Sequence, residues 1–339
     1  MLALEDLLEY AEKLDEQKKA KISLFFITRI LKSGMTRNAK VLDKYNFELQ
    51  QVSLSPDISE YFKGILSNQI KSHASRDEVE LKEYTVIDDD LDDKIYTYAL
   101  NNALSFANVI NEQMKKDNIP LITNLSDIQS NLWAYCIKVR MGEEYTYSFR
   151  KISKSKVTTD QVQGVKQRFS ALFDKTGGEL KAFDGNIISF DDKIDCIYID
   201  DRFYVFKKKS FESIVGLEEE FKIAATATIN TIKECGIVDN LNIIEEMISH
   251  KPSILKTLSH IAEKGNHSNL CLTDVNKMNN ILDKFKGKKF DISNDGKIIL
   301  KTAEDARNFL KLLNDYYKQG MTTQKYYATE GGSIVNPTS

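Results

Sequence analysis

Apolar residues recur with two different periods along the chain. The position at which the period changes divides the chain into two parts. Before Phe211, short apolar runs of strand length alternate with polar turns and with a few helical patterns. From Phe211 onward, apolar residues recur every three or four positions, as in helices that bury one face. The pattern therefore predicts an α+β protein with a central, mostly antiparallel sheet and a helical C-terminal unit.

Strands and helices can be assigned from these periods. The predicted strands are 22–31, 47–54, 79–87, 132–141, 144–152, 168–173 and 179–183. The predicted helices are 3–19, 56–73, 104–116, 126–130, 218–234, 240–250, 253–264, 274–285 and 302–318, with a short hairpin within 290–300. Gly142 and Glu143 form a two-residue connection, so the strands on either side are predicted to pair as a hairpin.

The stretch from Phe183 to Gly216 organises the rest of the prediction. It holds three or four short apolar runs separated by Gly185 and by two acidic turns, and it becomes helical after Ser210. This is the pattern of a β-meander that leads into a helix. Strands 168–173 and 179–183 are expected to continue the same sheet into the meander.

The chain is long enough for more than one structural unit, because single cores rarely grow beyond about 250–300 residues. We predict an N-terminal α/β segment at 1–125, a central antiparallel β-meander region at 126–216, a helical C-terminal region at 217–330 and a tail at 331–339.

Composition narrows the class of protein. With 42% hydrophobic and 29% charged residues, the 339-residue chain has the composition of an ordinary globular protein. The apolar run 22–31 is about half the length of a membrane span and contains Arg29. The four cysteines are far apart in the sequence and are expected to be buried, reduced thiols of a cytoplasmic protein.

Three lysine- and arginine-rich clusters stand out in a chain whose net charge is −3. Two follow predicted strand ends and one follows a predicted helix. Cations in such positions can contact the phosphates of double-stranded DNA without reading its sequence, although solvated cations also protect sheet edges from aggregation. The candidate DNA-binding residues are Arg150, Lys151, Lys154, Lys156, Lys207, Lys208, Lys209, Lys286, Lys288 and Lys289.

Patterns for metal binding and catalysis are incomplete. The acidic run 88–93 lacks the glycine and glutamate of a calcium loop, and His267 with Cys271 lacks a second pair of zinc ligands. The acids of the meander (Asp191, Asp192, Asp195 and Asp200) could recruit a divalent metal for cleavage of nucleic acid. However, Val205 stands where a second metal ligand would precede Lys207. No catalytic residue, metal ligand or cofactor is predicted, and enzymatic activity stays open.

Four segments carry a family resemblance. They are TYSFRKISKSK at 146–156, the meander at 183–216, FKIAATATINTI at 221–232 and LKLLNDYYKQGMTTQKYYA at 310–328. Together they resemble the KwaB family, the B component of the Kiwa antiphage defence system of bacteria, over roughly residues 90–330.

This resemblance implies a cytoplasmic DNA-binding protein that is recruited to the inner face of the membrane by the membrane protein KwaA. It also implies hindrance of phage DNA replication or late expression. The helical C-terminal unit is expected to make homodimer or membrane-partner contacts. The alternative is a metal-dependent nuclease effector of the same system.

Overall fold

The computed structural model describes most of the chain. The described residues are 4–17, 19–39, 41–76, 79–87, 93–116, 118–153, 157–158, 170–174, 179–183, 187–285, 287–319, 326–330 and 333–335.

The helices are α1 (Leu4–Glu16), α2 (Pro56–Ala74), α3 (Lys208–Val215), α4 (Leu217–Cys235), α5 (Asn242–His250), α6 (Pro252–Lys264), α7 (Leu272–Lys284) and α8 (Ala303–Leu313). Shorter helical turns are Val109–Gln113, Leu125–Asp127 and Asn266–Asn269.

Strands β1 to β6 are Lys21–Leu31, Tyr45–Val52, Glu80–Glu83, Lys94–Ala99, Leu132–Met141 and Glu144–Lys151. Strands β7 to β12 are Val157–Thr158, Ser170–Asp174, Glu179–Phe183, Ile187–Ile188, Cys196–Ile199 and Arg202–Val205. Strands β13 to β17 are Asp291–Ile292, Ile298–Ile299, Tyr317–Gln319, Tyr326–Glu330 and Ser333–Val335.

The chain divides into two compact units. Unit 1 comprises residues 1–84 and 90–217, and unit 2 comprises residues 85–89 and 218–339. Unit 1 contains an eight-stranded sheet in the order β2-β1-β5-β6-β11-β12-β4-β3. Neighbouring strands are antiparallel except β3 and β4, which are parallel. The α+β class with a mostly antiparallel central sheet is thus confirmed.

Each face of this sheet buries a different set of side chains. On one face, α1 and α2 contribute Leu7 and Phe62 to a cluster with Tyr135 and Ile197 of the sheet. On the other face, Phe211 of α3 contacts Phe203 of β12 at a ring-centroid distance of 5.1 Å. Burying a large apolar side chain contributes about 1.5–3 kcal/mol. The two layers therefore hold the sheet, and its strand ends, in fixed register.

The two central hairpins have the turns that their sequences require. Gly142 connects β5 to β6 with a φ of 65°, a backbone conformation that glycine adopts without strain. Asp200 and Asp201 connect β11 to β12 with φ values of 48° and 60°. Positive φ at both central residues is typical of the hairpin turns that match strand twist, and aspartate tolerates it.

Unit 2 contains α4 to α8, the hairpin β13–β14 and a three-stranded sheet β15-β16-β17. The predicted helix 302–318 ends early, at Leu313. Asp315 has a φ of 53°, which a helix cannot continue, and the tyrosines that follow favour a strand.

Two other expectations for unit 1 were wrong, and one strand was missed. Strands β8 and β9 pair with each other instead of continuing the central sheet, because a local hairpin closes a short loop at little entropic cost. The predicted helix 104–116 is reduced to the turn Val109–Gln113. Strand β4 was not predicted, yet it pairs with β12 and joins β3 to the sheet.

Candidate nucleic-acid interface

The strand ends that carry two of the predicted cationic clusters meet at one end of the central sheet. Cys196 pairs with Phe149 of β6 on one side and with Val205 of β12 on the other. The Asp195 carbonyl accepts hydrogen bonds from the Phe206 and Lys207 N–H groups, at 2.9 and 3.0 Å. Consequently β6 ends, β11 begins and β12 ends at the same place, which we call the sheet end.

Arg150 is bound to two carboxylates at the sheet end. Its Nε and Nη2 donate to the two oxygens of Asp191, at 3.0 and 2.6 Å, and its Nη1 donates to Asp195 Oδ1. The Arg150 side chain is 19% exposed and that of Asp195 is fully buried. Burial alone would lower the pKa of Arg150, but its hydrogen bonds to Asp191 and the nearby carboxylate charges outweigh burial and raise it.

Asp195 is surrounded by hydrogen-bond donors. Burial raises its pKa, whereas Arg150 and the Lys151 N–H group, which donates to Oδ2 at 2.7 Å, oppose that rise. The preceding residue, Ile194, is held by α2: its carbonyl accepts from Gln69 Nε2 at 2.8 Å and its N–H donates to Gln69 Oε1. The cluster of Arg150, Asp191 and Asp195 thus fixes the backbone of the sheet end.

Lys151 lies in an apolar and cationic environment. Its Nζ lies against the Trp133 ring, and Arg29 Cζ lies 3.1 Å from the centroid of the same ring. Among the described residues, the buried Nζ has no hydrogen-bond partner. Burial, and secondly the charge of Arg29, lower the pKa of Lys151 to about 6. The amine is therefore mostly uncharged at neutral pH.

The three lysines from 207 to 209 have different environments. Lys207 is the N-cap of α3 and is exposed, as is Lys209 in the first turn. Lys208 is buried, with its Nζ 4.9 Å from the centroid of the Tyr84 ring and 5.7 Å from that of Tyr96. Lys207 and Lys209 are therefore the members of this run that present charge to solvent.

The third cationic cluster belongs to unit 2. Lys288 Nζ lies 3.3 Å from Asp305 Oδ1, and Lys289 Nζ lies 3.1 Å from Asp283 Oδ1. Both lysines keep more than half of their side-chain surface exposed. The Lys289–Asp283 pair is exposed on both sides and contributes only about 0–1 kcal/mol, so Lys289 can exchange partners, whereas the Asp305 carboxylate that Lys288 contacts is buried. Lys154, Lys156 and Lys286 lie outside the described residues.

The four meander acids do not all meet at one site, although Asp191 and Asp195 share Arg150. Asp195 precedes β11 and Asp200 follows it, so the two lie at opposite ends of that strand. Asp191 binds Arg150, and Asp192 is exposed. Within the described ranges, no three His, Cys, Asp or Glu side chains are grouped so that they could hold a metal ion.

Arg29 and Trp133 lie at the sheet end but were not among the predicted site residues. Arg29 lies between Tyr45 and Trp133, with its Cζ 4.3 Å from the Tyr45 ring centroid. The presence of one arginine in the apolar run of β1 was the only feature of the sequence that could have indicated this site. The residues that Arg29 contacts on β2 and β5 depend on the register in which these strands pair. Strand register is not visible in local periodicity.

Comparison with known proteins identifies the family. A family model described as Kiwa protein KwaB-like matches residues 129–322, which is more than half of the chain. The chain belongs to the KwaB-like family. It is accordingly a component of a Kiwa antiphage defence system. No curated protein and no solved structure matches it.

The KwaB-like match begins just before β5 and extends into unit 2. It includes Trp133, the cluster around Arg150, and Lys207 to Lys209, whereas Arg29 and Gln69 precede it. Across the part of the chain that the structure describes, no helix has both the length and the apolar character needed to cross a membrane.

Proposed function

We propose that this KwaB-like protein binds double-stranded DNA and, with KwaA, hinders phage DNA replication or late expression. The observation that carries the proposal is the exposure of Lys207 and Lys209 at a sheet end whose backbone is held by the ion pairs of Arg150 with Asp191 and with the buried Asp195. A fixed backbone limits the entropy lost on binding to that of the lysine side chains that contact the phosphates. The net charge of −3 favours a confined contact surface over a broad one.

The predicted contact residues take different roles in this proposal. Lys207 and Lys209 contact phosphates directly, and Lys288 and Lys289 offer further charge from unit 2. Arg150 is a positioning residue, because its guanidinium is occupied by Asp191 and Asp195. Lys151 and Lys208 have buried Nζ groups beside aromatic rings and are not assigned a phosphate contact.

The variant Lys207→Glu/Lys209→Glu tests the duplex contact. We expect duplex affinity to fall by about tenfold or more. The plot of log affinity against log salt concentration should become shallower, with the magnitude of its negative slope reduced by about two. Fluorescence anisotropy with a labelled duplex across a salt series measures both quantities.

The matched control is Lys115→Glu/Lys116→Glu. These two exposed neighbours follow Met114, whose carbonyl binds Lys138 in the second half of β5, away from the sheet end. The control should keep most of the affinity. Equal losses in both variants would mean that binding depends on net charge alone and would remove the sheet end from the proposal.

Incubation of the protein with labelled DNA and magnesium or manganese separates binding from the nuclease alternative. A DNA-binding component shifts the DNA without shortening it. Shortened DNA would replace the binding proposal with the nuclease effector.

The partnership with KwaA and the homodimer rest on the family resemblance. We expect the protein to move to the membrane fraction when it is co-produced with KwaA and to remain outside that fraction otherwise. Light scattering after gel filtration should give the mass of a dimer. A protein that fractionates identically with and without KwaA would contradict the recruitment.

A further inference from the structure

Unit 2 carries a cluster of aromatic rings at the end of α7 and on the sheet β15-β16. Phe285 lies 4.6 Å from Tyr317 and 6.1 Å from Tyr326, and Tyr316 lies 5.0 Å from Tyr317, between ring centroids. The register of the sheet explains the grouping: Gln319 pairs with Tyr326, and Tyr317 lies two residues before Gln319 on the same face.

These rings differ from the core aromatics of the same unit. Phe290 and Phe309 are 4% and 0% exposed, whereas Phe285, Tyr316, Tyr317 and Tyr326 all remain partly exposed. A cluster that only filled the core would be covered like the first pair. We call the four partly exposed rings the aromatic surface.

Lysines accompany the aromatic surface. Lys311 Nζ lies 4.4 Å from the Tyr316 ring centroid. The exposed Lys284 directly precedes Phe285, and the exposed Lys288 and Lys289 follow within four residues. The nearby acids are partly neutralised, because Asp283 pairs with Lys289 and Asp315 with Lys264. The surface thus combines ring faces with cations.

This combination suits one class of ligand. Single-stranded nucleic acid presents bases that can stack on aromatic side chains and phosphates that attract lysines. A duplex keeps its bases stacked within its own helix, so it offers phosphates and base edges but no base face for stacking. Each nucleotide carries one base and one phosphate charge. Other anionic partners, such as an acidic peptide, have no aromatic base beside each charge.

We propose that the aromatic surface of unit 2 binds single-stranded nucleic acid by stacking bases on Tyr316 and Tyr317, while the adjacent lysines contact phosphates. This goes beyond the duplex contact at the sheet end of unit 1, and the stacking residues Tyr316 and Tyr317 take no part in that contact. Bases that become unpaired during replication or transcription have the required chemistry.

The test compares ligands of equal charge. Fluorescence anisotropy is measured with labelled oligothymidylate of about 20 nucleotides and with an abasic strand of the same length. We expect the abasic strand to bind the wild-type protein about tenfold or more weakly, because it cannot stack. An oligouridylate arm shows whether the surface takes DNA, RNA or both. Equal affinity for the thymidylate and abasic strands would overturn the proposal.

Variants assign the binding to the surface. Tyr316→Leu/Tyr317→Leu should lose most of the oligothymidylate affinity, whereas Tyr316→Phe/Tyr317→Phe should retain it because both rings remain. Circular dichroism confirms folding. If the leucine variant does not fold, equal affinity of the wild-type protein for the thymidylate and abasic strands still overturns the proposal.

Two further outcomes separate base stacking from duplex binding and from self-association. Lys207→Glu/Lys209→Glu should weaken duplex binding but leave the preference for oligothymidylate over the abasic strand unchanged, so each proposal can fail alone. A folded leucine variant that keeps its oligothymidylate affinity but changes oligomeric state would overturn stacking and assign the surface to contacts between copies of the chain.

Discussion

Replacing Arg150 with alanine is expected to lower the free energy of unfolding by about 3–5 kcal/mol. Removing the guanidinium leaves Asp195, which is fully buried, without its compensating charge. Asp191 loses both of its hydrogen bonds to Arg150 at the same time. Urea denaturation followed by circular dichroism measures the change.

Arg140→Ala is the matched control for this substitution. Arg140 lies near the other end of the β5–β6 hairpin, is 44% exposed and pairs with Glu143 at 3.2 Å. Exposed pairs of this kind contribute about 0–1 kcal/mol. Adding Asp195→Asn to Arg150→Ala should recover part of the lost stability, because the uncompensated charge disappears. Similar losses for Arg150→Ala and Arg140→Ala would mean that the Arg150 cluster does not support the fold.

Replacing Lys151 with methionine is expected to stabilise the protein, and most strongly at mildly acidic pH. The folded-state pKa of Lys151 is about 6, well below its ordinary value of 10.5. Between these values the unfolded chain binds the proton and the folded protein does not, so the lysine's unfavourable contribution grows as pH falls through this window. Methionine fills a similar volume without a buried amine, and we expect a gain of about 1–4 kcal/mol, the range found when buried ion pairs are replaced by apolar residues of similar volume.

Denaturation at about pH 6 and about pH 9 measures this effect, and Lys21→Met serves as the control. Lys21 is an exposed lysine at the start of β1, so its replacement should leave the pH dependence of stability almost unchanged. Duplex affinity should also survive Lys151→Met, because the Nζ is buried. A destabilised Lys151→Met variant would show that the amine has a stabilising partner in solution.

Local patterns predicted the elements whose partners are close in sequence. The hairpin of β5 and β6 needs one short connection at Gly142, and helix α2 begins at Pro56 as its sequence suggests. The order of the strands in the sheet could not be predicted from such local patterns. Strand β12 pairs with β4, about a hundred residues earlier in the chain, and nothing in the alternation of either strand specifies the other.

The candidate site shows the same limit in its side chains. The sequence gives no reason to distinguish the three lysines from 207 to 209. In the structure, the start of α3 buries Lys208 and leaves Lys207 and Lys209 exposed. Arg150 reads as a cation available to DNA, yet its carboxylate partners lie more than 40 residues later in the chain. The sequence shows where charged residues are clustered. Whether each charged side chain is exposed depends on its position around a helix and on pairing with residues far away in the sequence.

The hydrogen bonds between Gln69 and the backbone of Ile194 bear on how the protein can be divided. A fragment that began where the family match begins, at residue 129, would lose the helix that supplies this glutamine. It would also lose β1 and β4, leaving β5 and β12 with unpaired edges that attract other chains. We therefore expect that residues 129–322, although they define the family similarity, do not fold on their own.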